Sequence, residues 1–210
     1  MNIINRMESS LPTVSGTISG TGAEIGGRVE DDLAFWSGKT ESDSAAYSRL
    51  EDYWSHVGYT DWTPGGTPWS AAWISYQLRG TGFKPSAGHW AYTESIIGGD
   101  SPGWKAYSIP KNNGRISLNV GDVIVKARSG SDTAGHGDIV YKIQGDKAFL
   151  AGGNLSDSAR TTHTITMVDG LATIPGYQIL LKKTGGSKFP PWWLIGGMGM
   201  VGAWIWSRKK

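Results

Sequence analysis

Apolar residues recur at helical spacing in the first half of the chain and cluster in short runs in the second. Between Glu24 and Ser37, Ile25, Val29, Leu33 and Trp36 return every three or four residues, which predicts an amphipathic helix. A second helix is predicted from Asp43 to His56, with Tyr47, Leu50 and Trp54 on one face and Ser42 or Asp43 placed to cap it. Tyr59 to Pro68 is dense in Thr, Gly and Pro and reads as a loop. A third helix from about Trp69 to Gly80 carries Trp73, Ile74 and Leu78, and a shorter fourth covers Ala87 to Ile97. After Pro110 the period changes. Asp122–Arg128, Asp138–Ile143, Lys147–Ala151, Thr161–Val168 and Tyr177–Lys182 read as strands, with Gly145-Asp146 as a hairpin turn. Helices first and consecutive strands later predict an α+β class, the N-terminal helices packed on an antiparallel sheet.

The two ends depart from this pattern. Met1 to Met7 holds one Arg and no long apolar run, so it does not read as a secretory signal. Glu8 to Gly22 is rich in Ser, Thr and Gly without an apolar period, and residues 1–23 are expected to be a flexible arm that orders against a partner. At the other end, residues 184–191 read as a linker, with Pro191 suited to a first helical turn. Trp192 to Trp206 carries no charge. As a helix those fifteen residues span about 23 Å, short of a bilayer core of about 30 Å, but Phe189 to Ser207 suffices with local thinning. Trp192, Trp193, Trp204 and Trp206 resemble an interfacial aromatic belt, and Gly196, Gly197, Gly199 and Gly202 form a small-residue face. A transmembrane helix over 192–207 with a basic tail at 208–210 is therefore expected, anchoring a domain of residues 24–183 in a lipid membrane.

Composition narrows the chemistry. A chain of 210 residues and 22.6 kDa fits one domain and a tail. Its net charge of +2 does not suggest a nucleic-acid binder, and no nucleic-acid partner is expected. The absence of cysteine removes disulfides, thiolate metal sites and a cysteine nucleophile. His56, His89, His136 and His163 show no ligand spacing, so neither a metal nor a cofactor is expected.

Three places could carry chemistry. Ser70 follows a Gly/Pro loop at a helix start, where free N–H groups and the helix dipole favour a developing negative charge; the plain alternative is an N-cap serine. His136 in Gly135-His136-Gly137-Asp138 opens a strand between glycines that would let a substrate approach; the alternative is a hairpin-edge histidine beside Asp138. Gly152-Gly153-Asn154-Leu155-Ser156-Asp157-Ser158 follows the next strand. There Asn154, or else Asp157, could orient His136, unless the segment is simply a turn with Asn in a left-handed conformation.

Nucleophile at a helix start, base on the following sheet and polar orienter on the next strand is the papain-like order of parts. Pro68-Trp69-Ser70-Ala71-Ala72-Trp73-Ile74-Ser75, Ser86-Ala87-Gly88-His89, Gly121-Asp122, His136-Gly137-Asp138-Ile139-Val140 and the Gly152–Ser158 turn resemble a bacterial and phage family, domain of unknown function 2272. Tyr53-Trp54-Ser55-His56-Val57-Gly58 also fits its pattern, and the resemblance spans Glu24 to Lys182. That family is similar to the NlpC-type and CHAP-type cell-wall peptidases and amidases.

The resemblance implies a papain-like fold and a peptidoglycan substrate, with Ser70 where related chains carry the catalytic cysteine, His136 as the base and Asn154 as the third polar residue. His89 would be a further base or a substrate contact, and Trp69, Asp138 and Asp157 auxiliary or substrate-binding residues. Trp62, Trp69, Trp73, Trp90 and Trp104 are candidates for stacking on sugar rings. The expected function is a membrane-anchored peptidoglycan hydrolase, an amidase or peptidase of the phage virion or cell-entry lysin kind, associated with a virion membrane or bacterial envelope. The alternative is a catalytically degenerate binding or structural protein of a membrane-linked assembly, docking other virion or envelope proteins through its N-terminal arm.

Overall fold

The computed structural model describes Met7, residues 11–12, 22–128 and 134–184. Within them lie four α-helices, α1 (Gly22–Trp36), α2 (Ser44–His56), α3 (Ser70–Gln77) and α4 (His89–Ile97). Eight strands follow: β1 (Trp104–Ser108), β2 (Arg115–Ile116), β3 (Val123–Ala127), β4 (Gly135–Gln144), β5 (Lys147–Gly152), β6 (Arg160–Val168), β7 (Leu171–Thr173) and β8 (Ile179–Lys183). The class is α+β, as the pattern predicts. All four helices occur within a few residues of their expected bounds. Asp43 departs from its expected role: its carboxylate accepts from Thr40 N–H and Oγ1 at 2.7 and 3.2 Å and makes no cap bond to α2.

The strands form one antiparallel sheet in the order β1-β8-β3-β4-β5-β6-β7-β2. Its middle strands are apolar on both faces. Val123, Val125, Ile139, Ala151, Ile179 and Leu181 face the helices and pack with Ile25, Val29, Trp54, Trp73 and Ile74. Their neighbours Ile124, Val140, Leu150 and Leu180 point the other way and meet Ile116, Ala172 and Ile174 from the far end of the sheet. The sheet therefore curls so that β2 and β7 cover its second face. Strands β1, β2 and β7 escape the sequence pattern, because β2 and β7 are too short for a period and β1 is buried at four of five positions.

Beside β3, Asp122 Oδ2 meets the buried Lys182 ammonium of β8 at 2.5 Å, and burial still pushes the Asp122 carboxyl up to about 6. The arm is not wholly separate from this body. Met7 and Leu11 are buried in the helix-side core, and the Leu11 and Pro12 carbonyls accept from Lys111 Nζ (2.9 Å) and Ser108 N–H (3.4 Å). The expected transmembrane helix and basic tail, and all but Thr184 of the linker, lie outside the described residues. Among the described residues no helix is long and apolar enough to cross a membrane.

Candidate functional site

Ser70 is the first residue of α3. The Trp69 carbonyl before it accepts the Trp73 N–H at 2.9 Å, so the N–H groups of Ser70, Ala71 and Ala72 have no acceptor within the helix. The Trp69 ring turns inward. It stacks on Trp36 (centroids 4.8 Å apart) and Tyr53 (5.8 Å), and its Nε1–H donates to Glu41 Oε2 at 2.6 Å. Only 1% exposed, Trp69 has no face left for a substrate, so the expected contact role is replaced by one of fixing where α3 begins.

The hydroxyl of Ser70 meets His89. Its Oγ lies 2.8 Å from His89 Nε2, and His89 Nδ1 lies 2.5 Å from the Tyr92 hydroxyl. His89 opens α4 and Tyr92 follows at i+3, the spacing that puts both side chains on one helical face. This face presses on β4. A Cβ at Gly137 would stand 2.7 Å from Tyr92 Oη and 2.8 Å from His89 Nδ1, and one at Gly135 would stand 2.9 Å from His89 Cβ. The glycines flanking His136 thus admit α4 where the sequence reading expects substrate. Burial, followed by the charge of His136, pulls His89 down to about 3, against the pull of Asp138. The imidazole is neutral at pH 7. With its proton on Nδ1, donated to Tyr92 Oη, Nε2 is free to accept from Ser70; the opposite tautomer would make Nε2 a donor and disarm the pair.

Side chains alternate along a strand, so His136 and Asp138 leave β4 on the face opposite Gly135 and Gly137. There His136 Nε2 stands 3.3 Å from Asp138 Oδ2, the same oxygen that accepts the Tyr177 hydroxyl. Burial raises the Asp138 carboxyl, but His136 and then Tyr177 outweigh it and hold the group below the usual carboxylate range. The Lys126 ammonium sits 4.5 Å from the centre of the Tyr177 ring. The rings of His89 and His136 are 6.1 Å apart at their centroids.

Asn154 follows β5 at φ 55°, and Ser156 (48°) and Asp157 (61°) are also left-handed. The turn closes through Leu155 N–H to the Ser158 carbonyl at 2.8 Å, and the Asp157 carbonyl accepts the Glu41 N–H at 2.7 Å. The segment therefore ties the end of β5 to the residue that holds Trp69. The structure brings Ser70 to His89 and Tyr92, and His136 to Asp138 and Tyr177. Among the described residues no hydrogen bond joins Ser70 to His136, or His136 to Asn154 or Asp157. The sequence reading assigns no site role to Tyr92 or Tyr177. The His89-x-x-Tyr92 spacing could have revealed the first; nothing in the pattern marks the second.

The depressed His89 makes a pH prediction. An unfolded chain takes up this proton near pH 6.5, whereas the folded chain resists until about pH 3. The stability that neutral His89 contributes is thus complete above pH 6.5 and is lost as pH falls towards 3. Asp122 runs the other way, so the clean measure is a difference between variants. The stability gap between wild type and His89→Gln, from urea midpoints, should narrow between pH 7 and pH 4; a constant gap would contradict the assignment.

No protein-family model, curated protein or solved structure matches the chain.

Proposed function

We propose that the domain is a papain-like amide hydrolase of peptidoglycan, tethered to a membrane by its C-terminal helix, in which Ser70 is the nucleophile and His89 the general base. The observation that carries the reading is the 2.8 Å contact between Ser70 Oγ and His89 Nε2 at the first turn of α3. The order of motifs from Pro68 to Ser158 supports the substrate class. Relative to the sequence reading the base moves from His136 to His89, and Tyr92, not Asn154, positions the base.

Ser70 Oγ attacks the amide carbonyl carbon while its proton passes to His89 Nε2. The carbonyl oxygen becomes an oxyanion facing the free N–H groups of the first turn of α3. His89 returns the proton to the leaving nitrogen as the C–N bond breaks, and water then hydrolyses the Ser70 ester by the same route in reverse. Asp138, on the far side of β4, favours the imidazolium that forms in between. With its imidazole pulled down to about 3, His89 is a weak base, so turnover is slow. A thiol ionises near pH 8.5, far below a serine hydroxyl, and demands less of that base. Ser70→Cys should therefore release fragments from purified peptidoglycan faster than wild type, and Ser70→Ala should release none. Equal release by Ser70→Ala and wild type would remove Ser70 from the chemistry.

A second reading, a peptidoglycan-binding or structural protein without catalysis, is favoured by one observation: Ser70 is only 4% exposed and His89 6%. Under it, wild type and Ser70→Cys bind peptidoglycan alike and release nothing.

A further inference from the structure

Of the five tryptophans that could stack on a ligand, Trp69, Trp73, Trp90 and Trp104 are buried, and Trp62 alone keeps a partly open face. It is not isolated. Its ring lies 5.1 Å from that of Tyr47 on α2 and 6.3 Å from Trp54, which in turn lies 5.2 Å from Tyr59. Tyr47 and Tyr59 are 49% and 40% exposed, two of the four exposed large hydrophobic side chains among the described residues. The row Tyr47–Trp62–Trp54–Tyr59 is thus a surface strip of aromatic rings resting on the buried Trp54. Exposed aromatic rings that adjoin one another, rather than lying scattered, mark an interaction surface.

We propose that Tyr47, Trp62 and Tyr59 form a platform that binds an uncharged glycan strand by stacking on the C–H faces of its sugar rings. The inference deepens the peptidoglycan reading and rests on it for the identity of the polymer. Three observations select this chemistry. First, neighbouring rings along the row are inclined by 38°, 20° and 46°, short of the near right-angled walls that a cage for a cation needs. Second, the segments that carry the rings, Ser42 to Ser48 and Val57 to Thr67, hold no Lys or Arg, and Arg49 beside them is engaged with Asp32 Oδ1 at 3.5 Å and with the Phe35 ring, so an anionic lipid or nucleic acid finds little counter-charge. Third, the rim offers hydroxyl and carboxylate groups, Thr60, Asp61 and Thr63 from the loop and Glu51 one turn beyond Tyr47, all exposed and suited to sugar hydroxyls. Polarised C–H groups of a sugar meet the negative face of an aromatic ring favourably, and the flat rings bring little entropy cost.

The test uses the full chain carrying Ser70→Ala, so that no cleavage intervenes, and two probes: sedimentation with purified peptidoglycan, and calorimetric titration with a short oligomer of β-linked N-acetylglucosamine. Tyr47→Ala and Tyr59→Ala should each weaken binding about fivefold and Trp62→Ala roughly tenfold. Trp62 and Tyr59 both pack on Trp54, so Tyr47→Ala, whose melting temperature should match the parent, guards against an effect of unfolding. Unchanged affinity in the double variant Tyr47→Ala/Tyr59→Ala would overturn the platform. So would competition by tetramethylammonium where the oligosaccharide does not compete, which would mark a cation site. The outcome is separable from catalysis. If the Ser70→Ala chain binds through the rings and wild type releases no fragment, the platform stands and the hydrolase reading falls. If wild type releases fragments and the rings prove irrelevant to binding, the reverse holds.

Discussion

Replacing Asp32 by alanine should lower the melting temperature by roughly 10 °C, the largest single loss of stability expected in the domain. Asp32 is a charged residue in the middle of α1, yet it is buried among apolar neighbours. Its Oδ2 accepts three hydrogen bonds, from Tyr53 Oη (2.6 Å), Trp73 Nε1 (2.6 Å) and Gln77 Nε2 (2.9 Å), and Arg49 Nε stands 3.5 Å from Oδ1. Tyr53 Oη also accepts from Trp36 Nε1 at 2.8 Å. One carboxylate thus ties α1 to α2 and α3, and α3 is the helix that begins with Ser70. Truncating this side chain to a methyl group would leave three buried donors without an acceptor. Each costs about 1–3 kcal/mol, and because they share one partner the losses do not simply add, so about 3–5 kcal/mol is expected. For a domain of this size about 2–4 °C accompany each kcal/mol. Asp32→Asn keeps one acceptor oxygen but turns an amide towards donors, and should fall between. An Asp32→Ala chain that melts within about 2 °C of wild type in a cooperative transition would show that the network is not what joins the helices.

This hub shows where the sequence stops being readable. The periods of Ile25, Val29, Leu33 and Trp36 and of Tyr47, Leu50 and Trp54 predict α1 and α2 because packing on a core repeats every turn, although Leu33 is only half-buried and Tyr47 is exposed. Asp32 lies within that apolar stripe, and a pattern of apolar positions has no place for a buried carboxylate. Its partners are 21, 41 and 45 residues away, so nothing local reports them. The site divides in the same way. Ser70, His136 and Asn154 stand out by local context: a helix start, a Gly-flanked strand start and a Gly-rich turn. What pairs with what depends on strand parity and on the approach of α4. Gly135 and Gly137 point at the helices, which turns His136 to the opposite face and leaves the place beside Ser70 to His89. A single-residue shift in strand register would have reversed that outcome.

The second large effect concerns turnover. If Ser70 and His89 act as one unit, removing either should cost about as much as removing both, on the order of a thousandfold or more in kcat. His136 meets Asp138 Oδ2, not Ser70, and acts on the pair only through its charge across β4, which pulls the His89 imidazole down; its loss should therefore shift turnover by about tenfold or less, towards a stronger base at His89. Glutamine is the substitute in both cases, because it keeps much of the volume and cannot accept the proton. The most direct measurement is the initial rate of fragment release from purified peptidoglycan by full-length His89→Gln and His136→Gln, at protein concentrations and temperatures where both are folded. Loss of release in His89→Gln with most of it kept in His136→Gln is the predicted result. Full release by His89→Gln, or abolished release in His136→Gln alone, would contradict the assignment of His89 as the base that serves Ser70.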